Sequence, residues 1–228
     1  MSSEPQLLPD PLPAEPMTTA ATWLAQAWER GVQPNPDAMV LATVDAHGQP
    51  AARVVLCKQI VPEPGYLLFY TNYRSRKGRE IAAHPRGAAV LHWDSLHRQL
   101  RIEGPIVKAR PEESDAYFAT RAWQSRVGAW ASQQSEPIAA RSLLLDSVRQ
   151  FATRLGTPDV LSSAPSGAAV VVPRPPHWGG YRLWAETVEL WVEGEFRIHD
   201  RARWTRTLTP AGEHEFRASD WTATRLQP

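Results

Sequence analysis

Residues 38–58 read AMVLATVDAHGQPAARVVLCK, and the fold turns on this stretch. Residues 38–44 are a short apolar run, His47-Gly-Gln-Pro50 is turn chemistry, and residues 52–58 are a second run, so the pattern predicts a β-hairpin. GYLLFYTN at 65–72 predicts a third strand, and residues 87–93 and 98–108 predict two more. The last third returns to strands over 181–184, 187–192, 196–208 and 215–226. Helices come singly between them. The first starts near Thr18, with Thr18 or Thr19 as cap, Trp23, Leu24, Ala27 and Trp28 at helical spacing, and Gly31 as stop. Others are expected over 75–84, from Pro111 to about Arg121, and from about 138 to 155. Many strands joined by short turns predict a mainly β fold with added helices, arranged as an antiparallel barrel.

Five prolines and no apolar periodicity mark residues 1–16 as a flexible or extended tail, with one domain expected over 17–228. A loop rich in Pro, Ser, Gly and Ala is expected over 156–176, with an apolar patch at 168–172. The chain carries 25 basic and 24 acidic side chains for a net charge of +1. That balance gives no reason to expect a nucleic acid or an anionic membrane as partner. No apolar run approaches a membrane span and the N-terminus lacks a secretory pattern, so a cytoplasmic protein is expected. Cys57 is the single cysteine and has no base paired with it. Zinc spacing, a Rossmann glycine fingerprint and a phosphate loop are all absent, so no metal is expected and any phosphate must be held by side chains.

Four clusters could do that. Arg53 and Lys58 lie five apart on one strand, hence on opposite faces. Either the strand serves two neighbouring ligands or the charges face solvent. Tyr70-Thr71 followed by Arg74-Ser75-Arg76-Lys77 puts cations at a helix start, where anions are favoured; the alternative is a solvated basic patch. Tyr117 and Arg121 share a helix face with Ser125 just beyond, which suits phosphate or is an ordinary helix surface. Arg197, His199 and Arg201 point to one side if their segment is a strand. They then face an anionic or electron-rich group, unless nearby acids compensate them. Gln134-Ser135 either bonds a heterocycle or caps, and Trp178 beside Gly179-Gly180 either stacks on a ligand or fills the core.

In this order, AMVLATVDAHGQPAARVVLCK, LLFYTNYRSRKGREIAAHPR, HRQLRIEG, YFATRAWQSRVGAWASQQS, PRPPHWGGYRL, ELW, RIHDR and the closing RLQP resemble the pyridoxamine 5'-phosphate oxidase family. The likeness runs from about residue 16 to the C-terminus. It implies a homodimeric split β-barrel that binds flavin mononucleotide (FMN). Arg53, Arg76, Lys77 and Ser135 would hold the flavin phosphate with Tyr70 and Thr71 alongside. Gln99, Gln134, Trp178 and Arg201 would contact the rest of the flavin. Lys58, Tyr117, Arg121 and Ser125 would hold the substrate phosphate, with Lys58 counted among the cofactor's contacts too. Arg197 and His199 would lie against the pyridine ring as the catalytic pair. The implied reaction oxidises pyridoxamine or pyridoxine 5'-phosphate to pyridoxal 5'-phosphate, with O2 reduced to H2O2. Rival readings are an oxidase of the same fold resembling those of phenazine pathways, and a non-catalytic binder of flavin or pyridoxal phosphate. The chain departs from the family in its acidic, proline-rich N-terminus, in Thr120-Arg-Ala-Trp123 and in its long loop at 156–172.

Overall fold

The computed structural model describes residues 6–160 and 170–228, so residues 161–169 of the expected loop lie outside it. Among the described residues there are five α-helices: α1 (Met17–Glu29), α2 (Arg76–Ala83), α3 (Pro111–Thr120), α4 (Trp123–Ala131) and α5 (Arg141–Arg154). The early strands are β1 (Ala38–Val44), β2 (Pro50–Val61), β3 (Tyr66–Asn72), β4 (Arg86–Trp93) and β5 (Arg98–Lys108). The later ones are β6 (Trp178–Trp184), β7 (Thr187–Val192), β8 (Asp200–Thr205), β9 (Leu208–Pro210), β10 (Phe216–Ala218) and β11 (Thr222–Leu226). The chain, expected to form one domain from residue 17, divides into two compact units. One comprises Met1–Phe69, Glu80–Lys108 and Tyr181–Pro228; the other comprises Tyr70–Arg79 and Ala109–Gly180.

The first unit holds the barrel. The hairpin forms as expected, with β1 antiparallel to β2 from Ala38↔Leu56 to Val44↔Pro50. Asp45 fixes its turn, its carboxylate accepting the His47 and Gln49 backbone N–H groups at 2.8 and 2.9 Å. The strand order β5-β4-β1-β2-β3-β6 closes through a further β5–β6 pairing, giving six strands around a core. Leu41, Leu67, Phe69, Leu91, Trp93, Leu100, Ile102 and Leu183 are buried in this unit. Each such side chain contributes roughly 1.5–3 kcal/mol by leaving water.

Strand β5 belongs to two sheets. Its first half pairs with β7 from Arg98↔Val192 to Glu103↔Thr187, while Ile106, Val107 and Lys108 pair with β6. Gly104 sits between these halves. A Cβ there would lie 2.0 Å from the Trp184 carbonyl oxygen, so the crossing tolerates no side chain.

Several expectations change at element ends. Glu15 caps α1 in place of Thr18 or Thr19, its carboxylate accepting the Met17 N–H at 2.8 Å and the Thr18 N–H at 3.2 Å. Trp23, Leu24 and Ala27 are buried, but Trp28 faces solvent. Residues 6–16 carry no helix or strand and are docked within their unit. The Leu8 N–H donates to Asp200 at 2.7 Å, and the Pro13 carbonyl accepts from Trp204 Nε1 at 2.9 Å. The strand expected over 196–208 is broken. Residues 195–197 form a single 3-10 turn, β8 follows, and β9 stands apart from it. The last expected strand divides likewise, into β10 paired with β9 and β11 paired with β8.

In the second unit α4 is an added helix, over residues for which the sequence pattern predicts no element. It follows a break at Ala122 (φ −51°, ψ 135°) that ends the run of α3. Phe118, Val127, Ala131, Val148, Ala152, Val172 and Trp178 make this unit's core. Among the described residues no helix is long and apolar enough to cross a membrane, and no group of His, Cys, Asp and Glu could hold a metal ion.

Gly104→Ala should lower stability by about 1–3 kcal/mol, the usual cost of overpacking a close-packed interior. The urea midpoint checks this: a clear drop is expected, and an unchanged midpoint would mean that the β5 crossing has room to spare.

Candidate functional site

In the barrel unit Arg53, Lys58 and Arg201 are each met by a buried acid. Arg53 on β2 donates through Nη1 to the Leu41 carbonyl at 3.2 Å and to Thr43 Oγ1, and through Nη2 to Glu80 at 2.6 Å. Thr43 Oγ1 also donates to Glu80, whose side chain is only 3% exposed. The guanidinium is therefore fixed on three acceptors. Lys58 Nζ lies 2.6 Å from Asp37 Oδ2, and Asp37 is buried. The β2–β3 register shifts between Cys57 and Gln59, which makes Lys58 the extra residue of a bulge. Alternation from Arg53 thus stops short of Lys58, and the expectation of opposite faces no longer follows. Burial pushes the Cys57 thiol up to about 12, so it offers no thiolate nucleophile near neutrality.

Strand register assembles another group in the same unit. Gln99 on β5 stands opposite Trp191 on β7, and Trp191 stands opposite Arg201 on β8. Directly paired residues share a face, so these three form one row across the sheet. Arg201 is anchored by Glu189, with Nη2 at 2.8 Å and Nε at 3.1 Å from Oε1. The His199 ring packs 4.7 Å from the Trp191 ring. Sequence reasoning missed Trp191 as a member of this row; its place in the ELW segment was the available signal.

Arg197 and His199 do not sit on a strand, which corrects the expectation that Arg197, His199 and Arg201 share a strand face. They belong to a tight turn over 194–199 in which Phe196 (φ 53°) and Arg197 (φ 65°) adopt left-handed conformations. Such conformations are uncommon for side-chain-bearing residues and store strain. The turn closes on Gly194. Its N–H donates to His199 Nδ1 at 3.2 Å, and a Cβ there would lie 1.8 Å from the Ile198 carbonyl oxygen. Because a backbone N–H can only donate, Nδ1 is the acceptor and the neutral ring carries its proton on Nε2. Arg197 is exposed at the tip, and Phe196 beside it is 89% exposed.

The second unit holds cations differently. Ser75 caps α2, its Oγ accepting the Gly78 N–H at 3.3 Å. Lys77, in the first turn, is buried and donates to Thr71 Oγ1 at 3.1 Å, Ser75 Oγ at 3.3 Å and Gln134 Oε1 at 3.2 Å. Thr71, Lys77 and Gln134 are thereby brought together. These three oxygens orient the ammonium. Arg76 is exposed at the helix start, and Ser135 is exposed with φ 75°.

Tyr70, Tyr117 and Trp178 form a parallel ring stack, with Tyr70–Tyr117 centroids 3.9 Å apart and Tyr70–Trp178 centroids 5.5 Å apart. Of the two roles open to Trp178, the structure gives it the core one. The Arg121 guanidinium lies 4.7 Å over its ring. Arg121 is the extended residue just past α3, so the shared helix face expected for it and Tyr117 is replaced by this contact with the stack. Its Nη1 is buried and, among the described residues, has no hydrogen-bond partner. Burial lowers its pKa from the usual arginine value. An orphan donor on a buried cation favours an anionic acceptor. Ser125 is exposed in the first turn of α4, inside a helix instead of past one.

A family model described as pyridoxamine 5'-phosphate oxidase matches residues 25–154. A second, described as the pyridoxine 5'-phosphate oxidase C-terminal dimerisation region, matches residues 178–228. A pyridoxine/pyridoxamine 5'-phosphate oxidase of Paracoccus denitrificans is 45% identical over 94% of this chain and 95% of its own. One from Paraburkholderia phytofirmans is 47% identical over 91% of this chain and 86% of its own. Among solved structures, PhzG from Burkholderia lata, in complex with tetrahydrophenazine-1-carboxylic acid, aligns over all of both chains with a TM-score of 0.80 and 29% identity. A pyridoxamine 5'-phosphate oxidase-related, FMN-binding protein from Nostoc punctiforme shares the fold, with a TM-score of 0.63 at 18% identity over 90% of this chain and 95% of its own.

The Gly194 contact has a direct readout. Long-range nitrogen–proton NMR spectra of the neutral His199 ring should show Nε2 protonated and Nδ1 bare. The opposite tautomer would mean that the turn does not close on Gly194.

Proposed function

Because this chain belongs to the pyridoxamine 5'-phosphate oxidase family and is an oxidoreductase, we propose that it binds FMN and oxidises pyridoxamine or pyridoxine 5'-phosphate to pyridoxal 5'-phosphate. The observation that carries the reading is Arg121: a half-buried arginine over an aromatic stack, with a buried, orphan Nη1 suited to a phosphate oxygen. The reading extends to a homodimer, through the match of residues 178–228 to a dimerisation region, and to a cytoplasmic location.

The donor set fits FMN. Buried Lys77 beside the Thr71 and Ser75 hydroxyls, with Arg76 at the same helix start, suits a phosphate dianion. We assign Arg53, Tyr70, Thr71, Arg76, Lys77 and Ser135 to that phosphate. Gln99, Gln134, Trp178 and Arg201 are assigned to the rest of the cofactor, and Lys58 is counted among its contacts as well. Bound FMN supplies the two-electron acceptor that dioxygen restores. The amine reaction balances as amine, O2 and water giving aldehyde, ammonia and H2O2; the alcohol gives the aldehyde and H2O2 directly.

The chain's own work is binding and orientation. Lys58 and, separately, Tyr117, Arg121 and Ser125 are assigned to the substrate phosphate, so that remote binding energy positions the reacting carbon. Arg197 presents its charge from a strained turn, and His199 would offer Nε2–H to an oxygen substituent on the pyridine ring. The Gly194 bond and the Trp191 ring hold the His199 ring, which spares part of the cost of ordering it.

A second reading is an oxidase of the same fold acting on a non-phosphorylated tricyclic acid, favoured by the full-length likeness to PhzG. Faster oxidation of tetrahydrophenazine-1-carboxylic acid than of pyridoxamine 5'-phosphate would select it. A non-catalytic binder of flavin or pyridoxal phosphate would leave both untouched.

Lys77→Ala should weaken FMN retention by about tenfold or more, since a hydrogen bond to a charged group is worth roughly 1.5–3 kcal/mol. Flavin absorbance after gel filtration reads this, and full retention would remove Lys77 from the cofactor site. Arg197→Met should keep the flavin and cut turnover roughly 100-fold, as loss of a transition-state contact does. Unchanged kinetics would take Arg197 out of the reaction.

A further inference from the structure

Asp37 is a buried carboxylate that no part of the proposed chemistry uses, and it lies 2.6 Å from the lysine assigned to the substrate phosphate. Its side chain is 5% exposed, against 28% for Lys58. The backbone already holds Asp37 beside the residue that precedes Lys58, because the Asp37 carbonyl accepts the Cys57 N–H at 2.8 Å. Asp37 therefore has no need of its charge to bring Lys58 to its place. What the charge does is compensate the ammonium. One of the three Lys58 N–H donors is committed to it, and the pair has no net charge.

Resting on the assignment of Lys58 to substrate phosphate, we propose that Asp37 is a specificity-determining residue that weakens the site's hold on a dianionic group. A phosphate oxygen bonded to Lys58 at an ordinary distance of about 2.8 Å comes within roughly 5 Å of the Asp37 carboxylate. At that range two anions repel appreciably in a partly buried setting, and salt screens them little. Asp37 cannot swing into water to relieve this, because it is enclosed in the fold. The site at Lys58 thus accepts a phosphate ester less tightly than a free lysine would, and it discriminates less between phosphorylated and unphosphorylated ligands.

The test is Asp37→Asn, which keeps the shape and removes the charge, with Asp37→Ser as a second variant of the same sign. Pyridoxal 5'-phosphate, pyridoxal and inorganic phosphate are titrated calorimetrically into flavin-loaded wild type and variants; flavin content and melting temperature report folding. The expected result is about tenfold tighter binding of pyridoxal 5'-phosphate and of inorganic phosphate, with pyridoxal unchanged. Weaker phosphate binding would make Asp37 a residue that orients Lys58 and would overturn the proposal, as would equal affinities or a gain shared by pyridoxal. Wild type that binds none of the B6 ligands would instead sink the substrate reading. The inorganic phosphate comparison still decides on Asp37 in that case: a gain supports the proposal and no gain overturns it.

Discussion

The structure depends on one strand serving two sheets. β5 pairs with β7 along its first half and with β6 along its second, and the exchange happens at Gly104, where only a hydrogen atom fits against the Trp184 carbonyl. The β6 pairing closes the barrel. The β7 pairing sets the row of Gln99, Trp191 and Arg201, because register decides which residues stand opposite one another. His199 then packs on Trp191, so the placing of a catalytic candidate depends on the pairing of the neighbouring strand.

Charge is handled in two ways, which accounts for a chain with clustered arginines and a net charge of only +1. In the barrel unit Arg53, Lys58 and Arg201 are matched by Glu80, Asp37 and Glu189, all buried. Pairs of this kind fix geometry more than they add stability, since desolvation offsets much of the attraction. In the other unit Lys77 rests on hydroxyl and amide groups and Arg121 on an aromatic face. The phosphate-binding role proposed for Arg121 thus rests on its orphan Nη1, and the role of Lys58 is tempered by its partner.

The barrel was legible in the sequence because its strands carry apolar runs bounded by turn chemistry, as residues 38–58 do. α4 was not, because the break at Ala122 and a glycine at 128 hide a short helix from periodicity. The turn at 194–199 was misread as strand because Phe196 and Arg197 take left-handed conformations that their side chains do not advertise. The cationic residues of the candidate site could be named from their clusters and from family resemblance. Their acidic partners could not, since Glu80, Glu189 and Asp37 lie far along the chain from the groups they meet or read as ordinary strand and loop residues. Burial of an acid becomes visible only once the sheet is assembled.

We propose that this chain turns a phosphorylated B6 vitamer into pyridoxal 5'-phosphate at the expense of dioxygen. The most direct measurement mixes flavin-loaded protein with pyridoxamine 5'-phosphate in air and follows aldehyde and peroxide together. Equal amounts of both, formed in step, are the predicted result. Tightly bound flavin with neither product formed would contradict the account.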